Sequence, residues 1–134
     1  MLRIRKEQMA AFQSMRDEVF ARWLATYLRT HYSGLLGALS DADLERRVLV
    51  GLARALGHGL RDERKLAQFI ILMFQHAPNF DEHEHIRARL SEGGRSAEWR
   101  FSEMVARTTQ EEWAEVRYAR DDATWGTSME PSIQ

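Results

Sequence analysis

Asp81-Glu82-His83-Glu84-His85, with His76 five residues upstream, is the densest run of potential metal ligands in the chain. Imidazole and carboxylate are ordinary ligands for zinc and other divalent ions. Spacing decides how they would act. Residues two apart point about 200° apart on a helix, so His83 and His85 share one ion only in an extended loop, with a third ligand brought from elsewhere. No HExxH pair is present. The competing reading is a solvated acidic helix start, with carboxylates near the positive end of the helix dipole. It needs no distant ligand. No metal site and no cofactor is expected.

Other reactive patterns are missing. The chain has no cysteine, so thiol catalysis, disulfides and cysteine-ligated zinc are excluded. There is no GxSxG elbow, GxGxxG turn, Walker A loop or EF-hand spacing. Gly57-His58-Gly59 is too short for a phosphate cradle. His31 and His58 fall at expected helix ends, where a protonated imidazole interacts favourably with the dipole. No catalytic residue is expected, and the chain reads as non-enzymatic.

Arg87, Arg89, Arg95, Arg100 and Arg107 form a locally basic stretch around Trp99 and Phe101. Arginine with aromatic residues stacks on single strands, which makes a small regulatory nucleic-acid-binding protein the alternative function. Glu84, Glu92, Glu98 and Glu103 interleave with those arginines, however, and 19 basic against 20 acidic residues leave a net charge of −1. A salt-bridged solvent face fits that pattern better. All the basic residues except Lys6 and Lys65 are arginine. That bias suits bidentate pairing with carboxylates, although genomic base composition produces the same bias.

These groups must be positioned by helices. From about Arg5 to Tyr32 there is neither Gly nor Pro, and a helix of that length is roughly 40 Å long. Met9, Phe12, Val19, Phe20, Trp23, Tyr27 and Leu28 are expected on one apolar stripe, opposite Glu7, Arg16, Asp17 and Arg22. Such a helix is longer than a compact domain of this size, so one end should project as an interaction surface, with a homodimer as one outcome. Ser40 is placed to cap a second helix running to about Leu56. Leu44, Val48, Leu49, Leu52 and Leu56 are expected inward, with Arg46, Arg47 and Arg54 in solvent.

The central helix, about 62–76, contains the only fully apolar run, Phe69 to Phe74, and should be buried on all sides. Pro78 stops it, and Phe80 should fold back onto the core. A short helix is expected over about Glu82–Leu90, and Gly93-Gly94 is the best candidate for a flexible joint. Ser96 to about Thr108 is helical. Thr109-Gln110-Glu111-Glu112 matches a capping box that either starts a last helix or lies inside a continuous one. The expected fold is all-α: a compact bundle of about five or six helices around the central one, with residues 1–122 as one domain and 123–134 as a tail. The 134 residues and 44% hydrophobic content suffice for one core.

The opening MLRIRKEQMAAF and the centre LGHGLRDERKLAQFIILMFQHAPNFD resemble a family of short bacterial proteins. Those begin M-x-R-I-R-x-x-Q-M and carry a G-L-x-x-E-R-x-x-x-x-F-x-x-L-M-x-x-x-x-P-x-F-D centre. Gly59, Leu60, Glu63, Arg64, Phe69, Leu72, Met73, Pro78, Phe80 and Asp81 match that centre, and the resemblance covers residues 1–81. Members are encoded beside type VI secretion spike, PAAR and effector genes.

The resemblance implies an accessory protein that binds a secreted effector, toxin or spike component, as an adaptor, chaperone or immunity protein. It implies no catalytic residues. With no secretory signal legible and no apolar run near the ~20 residues that span a bilayer, a cytoplasmic location without membrane contact is expected. Trp23, Tyr27, Trp99 and Trp125 are the candidate partner-binding anchors. Each is weighed against burial in the core, as are Met129 and Ile133 of the tail.

Overall fold

The computed structural model describes residues 6–126, with side chains from residue 15 onward. Met9 and Phe12 of the expected stripe, and Met129 and Ile133 of the tail, lie outside what is described. The described residues form helices joined by turns, with no strand among them: α1 (Lys6–His31), α2 (Asp41–Gly57), α3 (Glu63–Gln75), α4 (Glu84–Leu90), α5 (Ala97–Arg107) and α6 (Gln110–Tyr118), with short 3-10 turns at Ser33–Leu35, Phe80–Glu82 and Asp122–Trp125. The protein is an all-α bundle around a central helix, with the long N-terminal helix the sequence calls for.

Local chemistry explains the boundaries. The side chains of Ser40, Asp62 and Ser96 each accept a bond from a first-turn backbone N–H, those of Asp43, Arg64 and Trp99 respectively, and so satisfy donors that a helix start leaves open. Thr109 and Glu112 close a full capping box. It begins a separate helix rather than lying inside a continuous one. At the Gly93-Gly94 joint, Gly94 takes φ +79°. Arg100 spans this joint, donating to the carbonyls of Leu90 at 2.9 Å and Arg95 at 2.5 Å.

α3 is the buried element. Leu66, Ala67, Phe69, Ile70, Met73 and Phe74 are all buried, but the expected burial on every side is not found: Ile71 and Leu72 are half-covered and Glu63, Arg64, Gln68 and Gln75 face water. The Phe69 ring lies at the centre, 4.8 Å from that of Phe80 and 6.1 Å from that of Phe101. α2 packs on α3 and α1 packs on α2. The α2–α3 approach is close at Gly51, where an added Cβ would lie 2.9 Å from Cγ1 of Ile70 and 3.0 Å from the Met73 sulfur.

Three expectations about faces need correction. Among the described side chains of α1 the buried ones are Ala21, Leu24, Ala25 and Leu28. Among the described side chains of the expected stripe, only Leu28 is fully inside, while Val19, Trp23 and Tyr27 are exposed and Phe20 is half-buried. Alanines and leucines let α2 come near, and the bulkier residues are left on the other side. Leu49 is exposed; the inward face of α2 is Leu44, Val48, Gly51, Leu52 and Ala55.

The arginine face of α2 is not simply solvated, because the C-terminal turn covers part of it. Trp125 is buried against Phe74 with ring centres 4.8 Å apart. Arg46 donates to the Trp125 carbonyl, and the Arg47 guanidinium lies 5.3 Å from the centre of its ring. The packed domain therefore runs through Trp125, past the expected boundary at 122. Among the described residues no helix is long and apolar enough to cross a membrane.

The Gly51 contact yields a test. Alanine at a helical glycine normally gains about 1 kcal/mol, and overpacking a filled core costs about 1–3 kcal/mol. Ile70 is β-branched and stiff, so Gly51→Val should lower the thermal midpoint clearly, and Gly51→Ala should fail to raise it. Calorimetry of the two variants checks this, and a Gly51→Val midpoint equal to the parent's would rule the close approach out.

Candidate functional site

The acidic and histidine-rich run folds into a set of structural latches. Asp81 is only 6% exposed and accepts bonds from Arg54 Nη2 at 2.5 Å and His58 Nε2 at 2.8 Å. Burial alone would raise its carboxyl, but the hydrogen bonds from His58 and Arg54 outweigh burial and hold it below the ordinary carboxylate range. The turn after Pro78 is thereby tied to the end of α2.

α6 is held by three imidazoles. His83 Nδ1 accepts the backbone N–H of His85, so its Nε2 carries the proton donated to Glu115 at 2.8 Å. His85 Nδ1 lies 2.7 Å from Glu112, whose two oxygens also take a two-pronged contact from Arg89 at 3.0 Å each. The Arg89 bonds, then the Thr109 backbone N–H, hold the Glu112 carboxyl far below its ordinary value. The His76 ring stacks on Trp113 with centres 4.0 Å apart, and its Nδ1 accepts from Arg117 at 2.9 Å. An acceptor nitrogen carries no proton. Burial, and then the charge of Arg117, hold His76 below its ordinary 6.5 and keep it neutral.

His83 and His85 thus face separate glutamates. Among the described residues no group of three or more His, Asp or Glu side chains converges as metal ligands would. Arg89, Arg95, Arg100 and Arg107 of the basic stretch are likewise engaged internally, while Arg87 is exposed. Arg89 grips Glu112, Arg100 bridges the glycine joint, Arg107 lies 3.7 Å from Glu92, and Arg95 covers the Trp99 ring at 4.8 Å.

The four candidate anchors separate. Trp125 is core. Trp99 is exposed at the start of α5, beneath Arg95. Trp23 and Tyr27 come together on the outer side of α1, ring centres 5.7 Å apart, in a ladder that runs from Phe20 through Trp23 and Tyr27 to His31.

Sequence reasoning missed two neighbours on this surface, Met15 and, as an exposed residue, Val19. Met15 and Val19 are each 62% exposed, Trp23 55% and Tyr27 36%. Their spacing of four places them in one row along a helix. The legible signal was an excess of apolar residues: α1 has enough for two faces. Beside the row lies a groove of about 940 Å³, lined by Met15, Val19, Phe20 and Trp23 from α1 and by Glu63 and Arg64 from the first turn of α3. It is an apolar trough with Arg16 and the Glu63–Arg64 pair at its rim. A contiguous exposed patch of this kind suits macromolecular contact rather than covalent chemistry.

No family model, curated protein or solved structure matches the chain.

The latches predict an acid response. Asp81 and Glu112 are held below their unfolded values, so between the folded and unfolded pKa values the unfolded chain binds more protons. Their stabilisation is complete above about pH 4.5 and declines as pH falls through the folded values. His76, also depressed, begins to erode stability once pH drops below about 6.5. Asp81→Asn should cost about 2 kcal/mol at neutral pH by leaving His58 without its carboxylate and Arg54 with only the more distant Glu82, and should flatten the acid part of the profile. Urea unfolding at a series of pH values measures both effects. An unchanged acid slope in Asp81→Asn would show that this latch does not carry the response.

Proposed function

We propose that this chain is a non-enzymatic protein-binding accessory whose binding face is the outer side of α1 and the first turn of α3. The observation that carries the reading is the exposed row Met15, Val19, Trp23 and Tyr27 beside an apolar groove. Large apolar side chains kept in water cost free energy that burial in a complex recovers, at about 25 cal/mol per Å² of apolar surface. Aromatic residues flanked by arginine are the usual energetic centre of such contacts.

The resemblance of residues 1–81 supplies the partner class: a secreted effector or toxin, or a spike component, of a type VI system. The chain then acts as its adaptor, chaperone or immunity protein, in a cytoplasmic setting. Mechanism is surface complementarity: Trp23 is the anchor, Val19 and Met15 extend the apolar strip, and Arg16, Glu63 and Arg64 form the polar rim. Nucleic-acid binding has less support, because Arg89, Arg100 and Arg107 are engaged within the protein. A metal-dependent enzyme at Asp81–His85 has less support still, since each of His83 and His85 faces its own glutamate.

Co-expression with the effector or spike protein encoded next to it tests the reading. The parent chain should co-purify with that protein. Trp23→Ala should weaken the complex by about 30-fold, the size of a 2 kcal/mol anchor, and Val19→Asp should act similarly, both without altering the melting curve. Trp99→Ala serves as the control and should bind normally. Undiminished binding by both α1 variants would move the site elsewhere.

A further inference from the structure

We infer that His76 is a proton-operated latch on α6: when its imidazole gains a proton, α6 lets go of the end of α3 while staying attached to α4. This device is independent of the binding face on α1. α6 is suited to moving by itself. Side chains join it to its neighbours, without the close backbone approach that joins α1 to α2 and α2 to α3. Elements held in that way open at a lower free energy than the core does. On the covered side of α6 are Val116, which is buried, and the half-buried Trp113, whose ring centre is 5.9 Å from that of Phe80. Opening uncovers these apolar groups.

The two attachments of α6 respond to acid in opposite directions. Trp113 and Arg117, four residues apart and so on one side of the helix, both meet His76, at 4.0 Å between ring centres and 2.9 Å to Nδ1. The arginine side chain has only donors, so this bond exists only while Nδ1 is bare. A proton there removes the acceptor and sets an imidazolium beside a guanidinium. Glu112 and Glu115, three residues apart, meet His85 at 2.7 Å and His83 at 2.8 Å. At those two contacts a proton on the imidazole places opposite charges together and strengthens the attachment. A proton on His83 Nδ1 costs the bond from the His85 N–H, which lies within the start of α4 and does not involve α6.

Arg117 is the charged group that bears on His76. The carboxylates on the surrounding elements are committed elsewhere. Asp81 is held by Arg54 and His58, and Glu82 lies 3.4 Å from Arg54. Asp122 pairs with Arg120 at 2.7 Å, and Asp121 accepts the N–H of Ala123. Asn79 holds the closed position without any proton, donating to the Ala119 carbonyl at 3.1 Å and accepting the Asp121 N–H at 3.0 Å. Those bonds are what the charge on His76 works against. Burial and then Arg117 hold His76 below its ordinary value in the closed form, so the open form binds more protons and acid favours it. One proton limits the gain to at most about tenfold in the opening constant per pH unit.

Amide hydrogen exchange of the full chain, read by mass spectrometry from about pH 8 to about pH 5 and corrected for intrinsic rates, tests the latch. The amides of α6 should exchange through an opening that leaves α2 and α3 protected. Its opening constant should be level above about pH 7 and rise below about pH 6.5 by up to about tenfold per unit. His76→Asn keeps an oxygen acceptor near the place of Nδ1 and does not titrate, so it should flatten the dependence. Arg117→Glu, at an exposed position, sets a carboxylate beside the ring and should flatten it as well. His83→Gln serves as the control and should keep the slope of the parent.

An opening constant that stays level across the whole range overturns the proposal, as does a slope that survives in His76→Asn. Exchange of α6 only in step with α3 overturns it too, because the pH effect then belongs to global unfolding. His76→Asn also removes the ring from Trp113. If that variant leaves α6 open at every pH, Arg117→Glu decides, and a slope there equal to the parent's overturns the latch.

Discussion

The run Phe69 to Phe74 places Phe69, Ile70, Met73 and Phe74 of α3 inside, and the other elements are arranged to cover that face. α2 supplies one wall, approaching closely because Gly51 has no side chain. The turn after Pro78 returns Phe80 to the far side of Phe69, and Phe101 of α5 completes that side. Trp125 closes the end at Phe74. α1 is recruited indirectly, by packing its small face on α2. It contributes to the bundle with only part of its circumference, and no other described residue covers its outer row of Met15, Val19, Trp23 and Tyr27.

Burial brings elements together, and ion pairs fix how they sit. Asp81 ties the post-proline turn to Arg54 and His58 of the α2 end, and Glu112 ties α6 to Arg89 and His85 of α4. Both carboxylates accept several charged or polar donors, so the cost of their burial is met locally. The arginine-rich composition finds a structural use here. Two-pronged contact, as between Arg89 and Glu112, needs the planar guanidinium and would not survive replacement by lysine.

Much of the fold was legible from local signals. Ser40, Pro78 and the Thr109–Glu112 box act at short range, and each sets the boundary its chemistry implies. The faces of α1 were not legible, because helical periodicity ranks bulky residues as inward and has no means of recognising a helix apolar on two sides. Ala21 and Ala25 are weak hydrophobic signals, yet they make the contact with α2, whereas Trp23 is a strong one and points outward. Arg54 and Asp81 are 27 positions apart, and nothing in the spacing announces their contact. Trp125 was read as tail because no helix pattern surrounds it; its burial depends on a pocket formed by Phe74 and Arg47, which are remote in sequence. Of the candidate site, Trp23 and Tyr27 were named from residue type alone, and their union with Met15 and Val19 required the fold.

The account stands on one claim, that the outer face of α1 is a contact surface. The indole N–H signals of the four tryptophans report on it directly in a ¹⁵N-labelled sample, because Trp23 lies on that face, Trp99 at the start of α5, Trp113 against His76 and Trp125 in the core. On titration with the proposed effector or spike partner, the Trp23 signal should shift or broaden while those of Trp99 and Trp125 stay in place. Binding of that protein with Trp23 unmoved would contradict the account.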